Sequence, residues 1–109
     1  MLTFTLGGQN FQALNGGTPT HYRTSASISV ECDNQTEIDQ LWSALTQHGG
    51  SEIMCGWVRD RWGVPWQIVP AMLPHLLAAP DQAVASRVFT AMTRMVKLDI
   101  AALERAAAR

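Results

Sequence analysis

The sequence predicts an α+β fold: a short N-terminal hairpin, one strand–helix–strand–strand–strand unit, and a helical C-terminal part. Three observations support this. Residues 8–15 and 63–70 align without a gap, and each copy has a glycine, two turn-compatible residues, an aromatic residue, a glutamine and two apolar residues. Strict alternation at residues 26–32 precedes a capped helical pattern, and only helical patterns follow Pro70. A repeated strand implies a repeated structural unit.

The N-terminal segment is predicted to be a hairpin. Residues 3–6 alternate between polar and apolar, residues 7–10 (Gly-Gly-Gln-Asn) have turn chemistry, and residues 11–14 are strand-like again. Residues 15–19 (Asn-Gly-Gly-Thr-Pro) break the pattern and begin a loop that runs to about Ser25.

A half-buried strand and a helix follow this loop. Residues 26–32 alternate with period two, which places Ile28, Val30 and Cys32 on one face. Asn34 and Glu37 have the spacing of a helix-capping box, and Gly49-Gly50 is a stop signal. The helix is predicted at about residues 35–47, with its apolar residues at helical spacing: Ile38, Leu41, Trp42 and Leu45.

The next segment is rich in tryptophan and predicts further strands. Residues 52–59 form one strand or two short ones, and residues 60–63 (Asp-Arg-Trp-Gly) suit a type I turn. Residues 66–69 form the strand that leaves this turn, and Pro70 limits its end.

The tail is predicted to be helical. A short helix covers residues 72–78, Asp81 can cap a longer one, and Asp99 can cap the last one. A stripe of apolar side chains on the longer helix includes Val84, Val88, Met92 and Met95. Such a Met-rich stripe is typical of core or of a subunit contact.

Composition excludes several classes of protein. The chain has 109 residues, which indicates one domain, and its 47% hydrophobic and 16% charged residues are typical of a compact globule. A net charge of −1 gives no electrostatic reason to expect nucleic acid or an acidic membrane as partner. Cys32 and Cys55 form no C-x-x-C motif, and no signal peptide or long apolar run is present, so we expect a reduced cytoplasmic protein.

Several of these segments, taken together, resemble the PhnB-like proteins. The resemblance lies in residues 11–17, 55–63, 66–70 and 97–104, and it covers nearly the whole chain. This group belongs to the vicinal oxygen chelate (glyoxalase/bleomycin-resistance/dioxygenase) superfamily, and many members carry the label 3-demethylubiquinone-9 3-methyltransferase.

The resemblance implies a glyoxalase/bleomycin-resistance-like fold of two βαβββ modules that curl around a cavity. Residues 1–17 would be the end of an incomplete first module, residues 26–70 the second module, and residues 71–109 a helical extension of the same single domain. Relatives usually have a strand and a helix before the position of Leu2. An exposed sheet edge there predicts a homodimer.

The resemblance also bears on metal binding. Metal-dependent relatives use a His on the first strand of a module and a Glu on the last, and these positions correspond here to Ser27 in the second module and to Gln12 and Gln67. Neutral amides and a hydroxyl are poor ligands for a hard divalent metal. We therefore expect no metal site and no cofactor, and His21, His48 and His75 have no spacing that would replace the ligands.

The candidate ligand-binding residues of the predicted cavity are Gln12, Ser27, Trp57, Trp66 and Gln67. The two glutamine amides either bind a small polar ligand or satisfy neighbouring groups. The tryptophans, including Trp62, either line the ligand or pack as core and edge. Arg59 is a candidate anchor for an acidic ligand.

Three functions stay open: a metal-independent ligand-binding module, an enzyme, or a remnant that only dimerises. The methyltransferase label has no support from a glycine-rich loop followed by an acidic ribose ligand. A lyase or isomerase would need a general base. Glu31 and Glu52 are the carboxylates on predicted strands near the cavity, and Glu31 points away from the Ile28, Val30 and Cys32 face.

Overall fold

The computed structural model describes residues 2–13 and 26–108. The N-terminal part is an antiparallel hairpin of β1 (Leu2–Leu6) and β2 (Gln9–Ala13), as predicted. Gly7 and Gly8 form its turn with φ of 57° and 80°, a left-handed conformation that glycine adopts without strain. The predicted last residue of this strand, Leu14, and the loop at 15–25 lie outside the described residues.

The apolar face of the hairpin is exposed. Leu2 and Leu6 are 65% and 63% exposed, and Phe4 and Phe11, at 40% and 42%, stack on each other with ring centroids 5.5 Å apart. Apolar surface of this kind commonly marks a contact surface when it is contiguous.

The larger sheet comes from the second segment. Its elements are β3 (Ile28–Cys32), α1 (Gln35–Thr46), β4 (Ser51–Glu52), β5 (Trp57–Arg59) and β6 (Pro65–Pro70). The strand order is β3-β6-β5-β4, in which β3 and β6 are parallel and the other pairs antiparallel. This arrangement confirms the predicted α+β class and the βαβββ unit.

The capping residues explain where α1 begins. The Asn34 side chain accepts a hydrogen bond from the Glu37 backbone N–H at 2.9 Å, and the Glu37 carboxylate accepts one from the Asp33 N–H at 3.1 Å. The α-helix ends at Thr46, and a 3₁₀ turn (Gln47–Gly49) follows it. Gly50 comes next because a β-carbon there would lie 2.1 Å from the Leu45 carbonyl oxygen.

The main core lies between α1 and one face of the sheet. Its buried residues come from all the main elements of the unit: Cys32, Ile38, Trp42, Val58 and Ile68. Each strand contributes to this face at every second position, as the pleat requires. We call it the helix face, and the opposite side the open face.

The C-terminal helices form a second core. They are α2 (Leu73–Leu77), α3 (Gln82–Thr93) and α4 (Ile100–Ala108), and Leu73, Val88, Leu98 and Leu103 are buried among them. The predicted methionine stripe packs against this core through Met92 and Met95. None of the helices in the described ranges is long and apolar enough to cross a membrane.

Backbone hydrogen bonds join the helical part to the sheet. The Cys55 and Gly56 N–H groups donate to the carbonyls of Met95 and Val96, both at 2.8 Å. Gly56 has φ of 85°, and a β-carbon there would lie 2.9 Å from the Leu98 side chain and 3.1 Å from the Ile68 carbonyl. Only glycine fits this junction.

Candidate functional site

A row of polar and aromatic residues crosses the open face of the sheet. Gln67 on β6 lies between Ser29 on β3 and Trp57 on β5 in the strand register. Ser27 is two residues before Ser29 and therefore lies on the same side. The open face carries polar, charged and aromatic side chains that could contact a ligand. We call this set the open-face site: Ser27, Ser29, Glu31, Trp57, Arg59 and Gln67.

Gln67 and Ser27 form the centre of the open-face site. The Gln67 Nε2 donates a hydrogen bond to the Ser27 Oγ at 2.9 Å, and both side chains are half-buried. This contact fixes the orientation of the amide. The Gln67 Oε1 accepts no hydrogen bond from the described residues and is not buried, so it stays accessible to a ligand.

Trp57 and Arg59 flank this centre on β5. Both side chains are half-buried, and Arg59 Nη1 donates to the Gly63 carbonyl at 3.2 Å. A guanidinium has five N–H donors, so this contact leaves most of them free. The two residues bring an aromatic surface and a positive charge to the same side of the sheet as Gln67.

The carboxylates on the strands lie on opposite faces. Glu52 is on the helix face, where it accepts a hydrogen bond from Trp42 Nε1 at 2.6 Å. Glu31 is exposed on the open face, because its neighbours Val30 and Cys32 on β3 pack under α1. Glu31 points away from Val30 and Cys32, as predicted, and it therefore lies on the same face of the sheet as Gln67 and Ser27. This position brings Glu31 into the candidate site.

Trp66 does not share the open face with Gln67. It is paired with Val58, packs against the core beneath α1, and donates from Nε1 to Asp60 Oδ2 at 2.9 Å. Trp62 is 73% exposed in the turn, where the Arg61 guanidinium lies 4.1 Å from its ring centroid. The expected wall of three tryptophans is therefore corrected: of these, only Trp57 is on the open face.

Asp60 organises the turn and is itself buried. It is 8% exposed, and its Oδ1 accepts hydrogen bonds from the N–H groups of Trp62 and Val64, each at 2.9 Å. The hydrogen bond from Trp66 is the main cause that holds the pKa of the Asp60 carboxyl below its ordinary value. The Gly63 N–H donates to the Asp60 carbonyl at 3.0 Å, which confirms the turn.

Gln12 does not join the open-face site through the sheet. It lies on β2 opposite Thr3, is exposed, and belongs to the separate two-stranded sheet. Within the described residues its side chain makes no hydrogen bond. The repeated glutamine strands therefore form the same local structure but have different surroundings.

Comparison with known proteins identifies the family of this chain. A sequence profile for the family described as 3-demethylubiquinone-9 3-methyltransferase matches residues 1–69. The chain belongs to this family. Its members include PhnB-like proteins, as the resemblance implied.

One solved structure from the family is a protein from Bacillus cereus described as PhnB. It is 31% identical to this chain and has a TM-score of 0.41, and the match covers 63% of this chain and 62% of the other. The chain therefore spans less than two thirds of that relative. No curated protein matches the chain.

The open face does not fit a divalent metal. Ser27 and Gln67 supply a hydroxyl and an amide, and the described residues contain no group of three His, Cys, Asp or Glu side chains that could hold an ion. His48 and His75 are exposed on other elements, and His21 lies outside the described residues. No step is therefore assigned to a metal.

The residues present do not fit a nucleotide-type methyl donor either. The parallel strand β3 leads into α1 through Asp33-Asn34, and these residues cap the helix with their own polar groups. This turn has no glycine that would let a cofactor approach the backbone closely. The β3–α1 turn of this PhnB-like chain therefore does not form a site for that cofactor.

Neither cysteine belongs to the open-face site. Cys32 is 1% exposed in the core, and burial, followed by the nearby Glu37 and Asp33 charges, raises the pKa of its thiol. Cys55 is a half-buried free thiol in the tight turn before Gly56. Neither arrangement activates a nucleophile by a neighbouring base among the described residues.

Proposed function

We propose that this PhnB-like protein is a metal-independent homodimer that binds a small polar molecule on the open face of its sheet. The observation that carries this proposal is the Gln67–Ser27 hydrogen bond of 2.9 Å. This hydrogen bond orients the Gln67 amide, whose oxygen can accept a hydrogen bond on the same face of the sheet as the Trp57 ring and the Arg59 guanidinium.

The residue chemistry suggests how the ligand is recognised. Gln67 Oε1 and the Ser27 hydroxyl oxygen would accept hydrogen bonds from a ligand donor, because the bond to Ser27 uses one N–H of Gln67 Nε2 and leaves the amide oxygen as an acceptor. Trp57 would cover an apolar or planar part of the ligand. Arg59 favours a ligand with a negative or carbonyl group at one end. A small planar molecule with both a donor and an acidic group meets these requirements.

The homodimer proposal rests on the exposed hairpin. Leu2, Phe4, Leu6 and Phe11 are all at least 40% exposed, and among the described strands β1 and β2 pair only with each other. A second copy that covers this face would remove apolar surface from water. Sedimentation equilibrium should show a dimer that Phe11→Ser weakens, and a monomer at all concentrations would contradict this.

A ligand screen with matched variants tests the binding proposal. Thermal shift with quinones, phosphonates, glyoxal adducts and antibiotics, with and without EDTA, should give a hit whose shift EDTA does not remove. Isothermal titration should then show that Gln67→Ala and Trp57→Ala weaken this hit, whereas Gln40→Ala and Trp62→Ala do not. Gln40 and Trp62 are exposed and lie outside the open-face site. A hit that requires added Ni²⁺ or Zn²⁺ would contradict metal independence.

Catalysis is the second candidate, and the position of Glu31 favours it. An exposed carboxylate on the same face as Gln67 can act as a general base in a metal-free isomerase or lyase. Glu31→Gln should then abolish proton exchange of the bound ligand with deuterated water without weakening its binding. The methyltransferase activity in the family description would instead require a thermal shift with S-adenosylmethionine.

We also propose that the protein is located in the cytoplasm. Cys32 and Cys55 are free thiols, which suits a reducing cytoplasm.

A further inference from the structure

A groove between α3 and α4 carries three arginines and lies apart from the open-face site. It has a volume of about 420 Å³, within the range of small-molecule sites. Ala91, Ala102 and Ala106 are its more buried lining residues, so the two helices approach closely and leave the space above them open. None of the described residues that line the groove is a carboxylate.

Arg87 is the fixed arginine of the three. Its Nε donates to the Ala106 carbonyl at 2.9 Å and its Nη2 to the Ala107 carbonyl at 3.3 Å. These carbonyls belong to the C-terminal end of α4, whose partial negative charge favours a cation. Arg87 therefore holds α4 against α3 and sets the shape of the groove.

Arg94 and Arg105 are the available arginines. Both are exposed, and neither makes a hydrogen bond or an ion pair with another described residue. Each lies at the C-terminal end of its helix, which accounts for a cation at that place. The position at a helix end does not account for two arginines with unused donors that line one groove together with Arg87.

We infer that this groove binds a small multivalent oxyanion, a molecule with two or more phosphate or carboxylate groups. Guanidinium groups bind both chemistries bidentately, and the Ser86 and Thr90 hydroxyls on the groove wall are further donors. The positive charge is a local feature of this groove, because the whole chain has a net charge of −1. A binding site here is independent of the proposed ligand on the open face.

Calorimetric titration with pyrophosphate and with citrate at low salt tests the inference. We expect saturable one-to-one binding of at least one probe, and the probe that binds more tightly distinguishes phosphate from carboxylate chemistry. Arg94→Gln and Arg105→Gln should each weaken binding by roughly tenfold, and Arg105→Lys by less, because lysine keeps the charge but loses the fork. Raising the salt concentration should also weaken binding.

Arg61→Gln is the matched control, since Arg61 is an exposed arginine in the turn over Trp62. It should bind the probe as the unmodified protein does. Failure of both probes to saturate, or an equal loss in Arg61→Gln, would overturn the inference. Circular dichroism of each variant shows that the fold is kept, and an open-face ligand should bind the Arg105→Gln protein normally.

Discussion

The two copies of the glutamine strand differ in what covers them. Trp66 packs beneath α1 and Gln67 is held by Ser27, whereas the aligned Phe11 is 42% exposed and Gln12 is exposed on a two-stranded hairpin. The same pattern of an aromatic residue followed by glutamine thus gives a core position and an oriented amide in one copy, and surface residues in the other. A neighbouring parallel strand and a covering helix make the difference.

The largest expected contrast is between the two aromatic residues. Trp66→Ala should lower the free energy of unfolding by about 3 kcal/mol, because it removes core packing and the Asp60 hydrogen bond. Phe11→Ala should cost less than about 1 kcal/mol. Urea unfolding at a low, fixed protein concentration measures both. Equal losses would mean that the hairpin is as well covered as the sheet.

A second contrast concerns glycines with positive φ. Gly56→Ala should cost about 2 kcal/mol, since a β-carbon meets the Leu98 side chain and the Ile68 carbonyl in addition to the backbone strain. Gly8→Ala has open space around it and should cost only the strain, about 1 kcal/mol. The same unfolding experiment separates them, and a Gly8→Ala loss as large as that of Gly56→Ala would contradict the open hairpin turn.

The glutamines give the third contrast. Gln67→Ala removes the hydrogen bond to Ser27 and should cost about 1 kcal/mol. Gln12→Ala should change stability by less than about 0.5 kcal/mol. Ser27→Ala combined with Gln67→Ala should cost no more than Gln67→Ala alone, because the two residues share one contact. An additive double variant would show that the hydrogen bond does not stabilise the sheet.

The smallest expected contrast is in how the stability of the fold depends on pH. The folded-state pKa of Asp60 is lowered, so its contribution is present above the unfolded pKa of about 4 and is lost as the pH falls through the folded value. Unfolding curves should therefore lose stability on acidification, and Asp60→Asn should lose less. The hairpin residues 2–13 contain no carboxylate and cannot produce this effect. Identical acid profiles for the two proteins would remove Asp60 from the explanation.

Local patterns in the sequence predicted most of the fold. The Asn34 cap, the residue alternation of β3 and the Asp60–Gly63 turn act over a few residues, and each is confirmed. The start and end of α1 were correct to within one residue at the C-terminal end.

The candidate site was harder to predict, because it depends on which face of the sheet α1 covers. Because α1 covers the face that holds Trp66, Trp66 is part of the core and Glu31 lies on the open face. Period-two alternation assigns residues to two faces but does not say which face is open. The buried Asp60 had one usable signal, an Asp at the first turn position with Trp66 six residues later, and its burial depends on the fold around it.

The central claim is that the second glutamine strand, and not the first, forms the binding site. Assigned ¹⁵N–¹H spectra during titration with a ligand found by thermal shift test it directly. We expect the Gln67 side-chain amide and the Trp57 indole signals to move together with saturation, while the Gln12 amide and the Trp66 indole stay unchanged. Shifts of Gln12 without Gln67 would contradict the claim.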